Sequence, residues 1–255
     1  MNIRIQLTVS FYKASNLDYF VMDVNYIDAG NVGETQVVVL RMTHMFIISY
    51  SYLVVDNNSK QSIIVDPAWN IEKVEEALMN TQSSLSGILL THSHPDHVDL
   101  ARPLADKYNC PIWMSNKEIA FSGYSEPQLL GIDMTPWFVG QIRILPILTP
   151  GHTPGSTCYL VGNNLFSGDT LFAEGCGICP DMAAAHNMFN SLNQLRSFLK
   201  PDTRIFPGHV YDKPPGQKFS ELLKCNIYLQ FKNVNDFAAY RMRHVQNKLS
   251  LFDFR

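Results

Sequence analysis

Three histidines and an aspartate fall within six consecutive residues, directly after a short apolar run. Imidazole and carboxylate are ligands that zinc and similar divalent metals prefer. In an extended chain His92 and His94 point the same way, because side chains alternate with a period of two. Pro95 ends that alternation, so Asp96 and His97 face a second point. The segment therefore predicts ligands for two neighbouring metals at the end of a strand.

Three later segments repeat this arrangement, in which a short apolar strand leads into a Gly- or Pro-rich turn with one His or Asp. The turns are Gly151-His152-Thr153, Gly168-Asp169-Thr170 and Pro207-Gly208-His209. Such turns at strand ends place side chains along one edge of a sheet, where α/β proteins build their sites. Five of the eight histidines lie in these four places, so the clustering is not scatter.

In this order, the four motifs resemble those of the metallo-β-lactamase superfamily, over about residues 37–210. The resemblance implies that one metal is held by His92, His94 and His152, and the other by Asp96, His97 and His209, with Asp169 bridging. It also implies that Asp66 supports the ligand histidines from behind, since such carboxylates fix a histidine in one tautomer. A turn residue ahead of Pro67 is an equally good interpretation of Asp66.

The resemblance implies the metallo-β-lactamase fold, a four-layer αββα sandwich, whereas periodicity alone predicts only a mixed α/β protein. We expect one metallo-hydrolase domain over residues 1–255, with a metal-site core at about 37–210 and a C-terminal helical segment at about 218–250. Residues 1–35 suggest only an extra hairpin. Strands are predicted at Val37–Met42, Ile47–Val55, Ser62–Val65, Gly87–Leu90, Ile112–Met114, Ile142–Leu148, Thr157–Val161, Asn164–Ser167 and Thr203–Phe206. Helices are predicted at Ile71–Met79, from about Val98, at Ala184–Leu199, and in two pieces over Phe219–Leu249.

Composition favours a cytoplasmic protein. The chain is 46% hydrophobic, enough for a full core, and carries a net charge of −3 with a pI near 6.2. A nucleic-acid partner is disfavoured, because phosphate-binding surfaces are basic. Its longest apolar stretches are too short to span a bilayer, and the first ten residues lack a signal-peptide core. The five cysteines show no disulfide framework.

Two metals at one open site would acidify a water and polarise a carbonyl, which is hydrolase chemistry. We expect two Zn²⁺ per chain, although iron or manganese suits the same ligands. Asp96 is the candidate catalytic residue, because it could orient the attacking water. A thioester suits such a site, since a thiolate with a pKa of about 8.5 leaves without much acid catalysis.

Two narrower resemblances point to thioesters. The residues around Asp169, with Gly175-Cys176-Gly177, resemble the glyoxalase II branch, which hydrolyses thioesters. Residues 184–189, 207–216 and 226–232 resemble the zinc-dependent hydrolases of bacterial trans-acyltransferase polyketide clusters. That group implies removal of acyl units from acyl carrier protein phosphopantetheine during antibiotic biosynthesis. Cys176 and Cys179 are interpreted as two reduced thiols, and His186 is explained as well by a helix start as by a place in the site.

Three alternatives stay open. The first is a glyoxalase II-type hydroxyacylglutathione hydrolase. The second is a persulfide dioxygenase with one iron, and the third is a non-catalytic metal-binding protein. Seven ligand residues exceed what a mononuclear site needs, and structural zinc sites are closed and usually rich in thiolate. A hydrolase is therefore the leading prediction.

The C-terminal segment is basic. Residues 218–255 have a net charge of +4, which leaves −7 for the rest of the chain. We expect this segment to bind an acidic acyl carrier protein, with a solvated helical face as the alternative. The basic residues are Lys218, Lys224, Lys232, Arg241, Arg243, Lys248 and Arg255.

Overall fold

The structure, a computed structural model, describes residues 5–14, 17–28 and 35–243. Within these ranges the chain forms two β-sheets, which we call the N-terminal and the C-terminal sheet. The strands of the N-terminal sheet lie side by side in chain order: β1 (Ile5–Ala14), β2 (Leu17–Asp28), β3 (Thr35–His44), β4 (Ile47–Asp56), β5 (Gln61–Val65), β6 (Ser84–Leu89), β7 (Ile112–Ser115) and β8 (Leu129–Ile132).

The C-terminal sheet has the strand order β14-β13-β12-β11-β10-β9. Its strands are β9 (Trp137–Val139), β10 (Ile142–Leu148), β11 (Thr157–Val161), β12 (Asn164–Gly168), β13 (Arg204–Pro207) and β14 (Gln217–Lys218). The helices are α1 (Ile71–Thr81), α2 (Pro95–Val98), α3 (Ala101–Tyr108), α4 (Asn116–Ser122), α5 (Met182–Phe198), α6 (Phe219–Cys225) and α7 (Val234–Arg241), with a 3₁₀ turn at Ile227–Leu229.

Hydrophobic side chains fill the space between the two sheets. The ring of Tyr52 lies 5.4 Å from that of Phe166 and 5.3 Å from that of Phe206, and all three are buried. Alternate residues of β3 serve different layers, because side chains alternate across a strand. Val37 packs between the sheets, whereas Val38 packs towards α1 and α3. A third core lies between the C-terminal sheet and α5–α7. The layers therefore run α-β-β-α, as the resemblance implied.

Polar side chains start the two longest helices. The Asn70 side chain accepts a hydrogen bond from Lys73 N at 2.9 Å, and the Asp181 side chain accepts one from Ala184 N at 2.7 Å. Both bonds satisfy backbone donors that have no partner within the helix.

Most predicted elements are found, and β10 and β11 have the predicted bounds. The expected N-terminal hairpin is present as the antiparallel pair β1–β2. In the C-terminal segment α6 and α7 are the two expected helices, and the predicted continuation over residues 244–249 lies outside the described residues. The elements α4, β8, β9 and β14 were not predicted. No helix in the described ranges is long and apolar enough to cross a membrane.

The loops that carry the predicted ligands meet at one edge of the sandwich. Backbone hydrogen bonds hold these loops in place. Gly208 N donates to Gly168 O, Thr157 N at the start of β11 donates to Thr91 O, and Tyr50 N of β4 donates to Gly208 O, each at 2.9 Å. Loops from both sheets are thereby held against one another at the strand ends.

Candidate metal centre

The loop after β6, residues 91–98, carries four of the predicted ligands, and we call it the metal loop. The strand ends at Leu89, so His92 and His94 do not lie in a strand, and the strand alternation assumed from the sequence is wrong here. His94 is instead the cap of α2 and has extended backbone angles. Pro95 takes the first helical position, where its fixed φ and missing N–H fit. The helical turn then presents Asp96 and His97.

Three histidines meet at one point, which we call the trihistidine site. His94 Nδ1 lies 3.0 Å from His92 Nε2 and 3.0 Å from His152 Nε2. Nitrogens bound to one tetrahedral zinc lie about 3.3 Å apart, so the spacing is close to that of a metal site. His152 comes from the loop after β10 on the other sheet.

Asp96, His97 and His209 form a second group, which we call the mixed site. Asp96 Oδ2 lies 3.2 Å from His209 Nε2 and 3.7 Å from His97 Nε2. Their ligand atoms all lie within 4.8 Å of one another. This group combines two residues of the metal loop with one residue that follows β13.

Asp169 lies between the two groups. Its Oδ2 is 3.5 Å from His152 Nε2 and 3.5 Å from His209 Nε2, and its Oδ1 is 3.6 Å from His97 Nε2. One carboxylate thus contacts a residue of the trihistidine site and two of the mixed site. All seven predicted ligand residues are brought together, and Asp169 is placed to bridge.

Two buried atoms test whether these residues fit a metal. His97 Nε2 and Asp169 Oδ1 are inaccessible to solvent and have no hydrogen-bond partner. Leaving such atoms unpaired costs about 1–3 kcal/mol each, and a cation between them removes the cost. Gly208 leaves the necessary room, because a Cβ there would lie 2.5 Å from His97 Cε1 and 2.6 Å from Asp169 Oδ1. The donors fit a pair of divalent cations.

The ring nitrogens turned away from the centre are held by hydrogen-bond acceptors. His97 Nδ1 lies 2.9 Å from Asp66 Oδ2, His152 Nδ1 lies 2.8 Å from Ile178 O, and His209 Nδ1 lies 2.8 Å from Ile48 O. A carbonyl or carboxylate at Nδ1 places the proton there, which leaves the Nε2 lone pair for a metal. These three histidines are therefore oriented as ligands.

Asp66 does more than end a turn. Its carboxylate accepts hydrogen bonds from Thr91 N at 2.7 Å and from Thr91 Oγ1 at 2.6 Å, besides contacting His97. Asp66 also has the left-handed φ of a turn residue, +48°. Both interpretations offered by the sequence therefore apply to this residue.

The protonation equilibria of the histidines differ because their neighbours differ. Burial, with neighbouring histidines, lowers the pKa of His94 to about 4, so its imidazole is neutral at pH 7 and available to a metal. Burial also opposes the charged form of His97, but the carboxylates of Asp66, Asp169 and Asp96 outweigh it and raise its pKa to about 10. Such carboxylates attract a cation of any kind to the position that His97 Nε2 faces.

The Cys176–Cys179 loop contacts the centre through its backbone. Gly177 is packed so closely that a Cβ would lie 1.9 Å from Asp169 O, and Ile178 O holds His152. Both cysteines are buried and free, and burial raises the pKa of Cys179 to about 11. These thiols are protonated packing residues, as expected.

Arg241 corrects part of the expected partner surface. It is only 4% exposed, and its Nε donates to Gly177 O at 2.8 Å. The assignment of this residue to a surface for an acidic partner is therefore wrong. Arg241 instead stabilises the Cys176–Cys179 loop, whose Ile178 carbonyl contacts His152.

Glu118 and His186 are two residues whose places the sequence left unassigned. Sequence reasoning missed Glu118, a fully buried carboxylate on α4 that hydrogen-bonds the metal loop and the loop of His152. His186 lies on α5 and belongs to none of the ligand groups among the described residues.

Residues 45–209 match the family described as the metallo-beta-lactamase superfamily. A curated protein of Bacillus velezensis named "Probable polyketide biosynthesis zinc-dependent hydrolase BaeB" is 42% identical over 218 residues, which cover 85% of this chain and 96% of that protein. A hydroxyacylglutathione hydrolase of Shewanella halifaxensis is 34% identical over 165 residues, covering 64% of this chain and 62% of that protein. A solved metallo-beta-lactamase of Staphylococcus aureus has a TM-score of 0.71 at 23% identity, over 77% of this chain and 63% of that one.

Proposed function

The chain belongs to the metallo-β-lactamase superfamily and has its fold, and from this premise we propose that it is a zinc-dependent hydrolase of thioesters. Its proposed substrates are acyl groups on the phosphopantetheine of an acyl carrier protein in polyketide biosynthesis. The name of the Bacillus velezensis relative supports the zinc-dependent hydrolase and the pathway.

One observation carries the proposal of metal-dependent hydrolysis. Asp169 lies within 3.6 Å of ligand nitrogens from both the trihistidine site and the mixed site. A carboxylate in this position would be shared by two cations, and paired cations can act on both the attacking and the leaving side of a displacement.

Zinc bound at these sites would acidify a water molecule and polarise the substrate carbonyl. Asp96 is the residue that orients the water. Burial by itself raises the pKa of Asp96, but the hydrogen bond from His209 and the charges of His97 and His209 outweigh it and hold that pKa below its ordinary value. An ionised carboxylate at this point accepts a hydrogen bond from the water and aims it at the carbonyl.

A thioester suits the surroundings of the site. The departing thiolate has a pKa of about 8.5, so it leaves without a strong acid. Two partly exposed isoleucines contact the ligands through their backbone carbonyls. Ile48, 37% exposed, contacts His209, and Ile178, 42% exposed, contacts His152. Tyr211, 70% exposed, follows shortly after His209. These side chains offer contact to an apolar acyl chain.

The proposed partner is an acidic carrier protein. Lys218, Lys224, Lys232 and Arg243 are exposed on the C-terminal segment, although Lys224 pairs with Glu221 at 3.0 Å. Exposed basic residues attract an acidic partner and speed its association.

We expect carrier-protein and phosphopantetheine thioesters to be hydrolysed with a kcat/KM at least about 10-fold above that of S-lactoylglutathione. The carrier-protein reaction should slow as salt rises, because salt screens charges that attract the partner. Reversing two exposed charges, Lys232→Glu and Arg243→Glu, should lower kcat/KM for the carrier protein by about 10-fold and spare a small free thioester.

Lys200→Glu is the matched control. Lys200 is exposed and lies between α5 and β13, whereas the metal ligand His209 follows the opposite end of β13.

The second candidate function is that of a hydroxyacylglutathione hydrolase, favoured by the Shewanella halifaxensis relative. Faster hydrolysis of S-lactoylglutathione, with no response to the charge reversals, would support that function and contradict ours.

We also expect two metal ions per chain when the protein is purified without chelator, with zinc as the main metal. Seven ligand residues provide for two ions, and one ion needs only three or four. Elemental analysis against protein concentration checks the ratio. A single tightly held ion, even after zinc is resupplied, would favour the alternative with one iron.

A further inference from the structure

Glu118, a buried carboxylate outside the seven ligand residues, joins two loops of the metal centre. It lies on α4 and is 0% exposed. Its Oε1 accepts hydrogen bonds from Ser93 N at 3.0 Å and Ser93 Oγ at 2.7 Å. Its Oε2 accepts from Thr153 Oγ1 at 2.7 Å and Gly155 N at 3.1 Å. Each loop thus supplies two donors to one carboxylate.

These donors are the chain neighbours of the ligands. Ser93 lies between His92 and His94, and Thr153 follows His152 directly. The three histidines are the members of the trihistidine site. If the two loops moved apart, the bonds to Glu118 would stretch and the distance from His94 to His152 would grow.

The start of α4 is packed too tightly against the second loop to shift. A Cβ on Gly155 would lie 2.1 Å from Glu118 N, so only glycine fits there. Ser115, which caps α4 by accepting a hydrogen bond from Glu118 N, donates through Oγ to Gly155 O at 2.7 Å. Glu118 is therefore held from its own helix as well as by its four donors.

The mixed site is supported by other residues. His97 is held by Asp66, and His209 is held by the carbonyl of Ile48. Neither contact involves Glu118, so the mixed site has supports of its own. Asp66 also reaches the trihistidine site, because Thr91 Oγ1, which donates to it, lies 3.0 Å from His92 Nδ1.

We propose that Glu118 is a positioning residue that sets the separation of the two loops and thereby the metal affinity of the trihistidine site, with little effect on the mixed site. This inference rests on the proposed metal binding and not on the proposed substrate.

The test uses two variants that each keep one site. His209→Ala leaves the trihistidine site, and His152→Ala leaves the mixed site. Glu118→Gln is then added to each, because an amide keeps the size of the side chain but offers only one acceptor oxygen to the four donors. The affinity of the apo-protein for Co²⁺ is measured by competition with a chelator, and the visible absorption of bound Co²⁺ reports its geometry.

We expect Glu118→Gln to weaken Co²⁺ binding by about 10-fold or more in the His209→Ala protein, and by less than about 2-fold in the His152→Ala protein. The Co²⁺ spectrum should change only in the former. Glu76→Gln, at an exposed position of α1, is the matched control and should change neither. Equal weakening in both backgrounds, or an unchanged affinity in the His209→Ala protein, would overturn the inference.

A second pair of variants covers a failure of Glu118→Gln to fold, which circular dichroism would detect. Ser93→Ala and Thr153→Val each remove one hydroxyl donor and leave the carboxylate in place. Both should weaken Co²⁺ binding in the His209→Ala protein alone, and unchanged binding in both would refute the positioning role. No thioester enters these titrations. A protein that binds Co²⁺ as expected but hydrolyses no thioester would therefore contradict the proposed substrate and leave this inference standing.

Discussion

Asp169→Asn is expected to lower thioester hydrolysis by about 1,000-fold or more, which corresponds to about 4 kcal/mol of transition-state stabilisation. The reason is that one carboxylate contacts both sites, with Oδ2 3.5 Å from His152 Nε2 and from His209 Nε2. Asparagine keeps the shape but loses the charge and one acceptor oxygen. Metal content should fall below two ions per chain, as measured by elemental analysis beside initial rates.

The fold of the Asp169→Asn protein should survive, because Asp169 Oδ1 makes no hydrogen bond that holds the native structure. Circular dichroism of the metal-free variant, compared with that of the metal-free wild type, checks that the fold is kept. Asp106→Asn is the matched control: Asp106 is 53% exposed and pairs with Arg102 on the surface, a contact of at most about 1 kcal/mol. Full activity and two ions in Asp169→Asn would rule out a bridging role.

Asp96→Asn is expected to lower turnover by about 100-fold or more, even at zinc concentrations that restore two ions per chain. Its carboxylate lies 3.2 Å from His209 Nε2, so part of the loss will be weaker metal binding. The part that zinc does not restore reports the orientation of water by an ionised carboxylate, which an amide cannot replace. The measurement is kcat at increasing zinc, with metal content determined on the same samples.

Asp202→Asn, at an exposed turn, provides the control for an aspartate lost far from the ligands. If excess zinc returned the Asp96→Asn protein to wild-type turnover, Asp96 would be a ligand only, and the orienting residue would have to be sought elsewhere.

The ligands could be predicted from the sequence because the chain specifies them locally. Four of them lie within six consecutive residues of the metal loop. His152, Asp169 and His209 each lie in a loop that follows a short apolar strand. Strand ends on one edge then bring them together, which requires no knowledge of side-chain contacts.

Glu118 could not be found in this way, because its partners come from two loops distant in the sequence. A local signal was nevertheless present: Ser115-x-x-Glu118 is a capping-box pattern and predicts the start of α4. The pattern would have assigned the carboxylate to its own helix end. In the structure Ser115 does cap the helix, but the Glu118 carboxylate bonds Ser93 and Thr153 instead.

Arg241 shows a second limit of sequence reasoning. Charge counting treats every basic residue as a surface residue, and most are. A charged side chain that is buried against a backbone carbonyl, as Arg241 is against Gly177 O, has the same composition signature. Only the packing of α7 beneath the Cys176–Cys179 loop distinguishes the two cases.

The unequal division of ligands between the two sheets would determine how bound zinc affects folding. The metal loop keeps His92, His94, Asp96 and His97 together even in an unfolded chain, whereas the C-terminal sheet adds the other ligands only when the layers close. A metal stabilises the native state by the difference between its native and unfolded affinities. Because the denatured chain retains this short chelating segment, bound zinc would raise the unfolding free energy by less than the native affinity alone would give. That gain would come from the histidines and the aspartate that follow strands of the C-terminal sheet, so zinc would oppose separation of the two sheets.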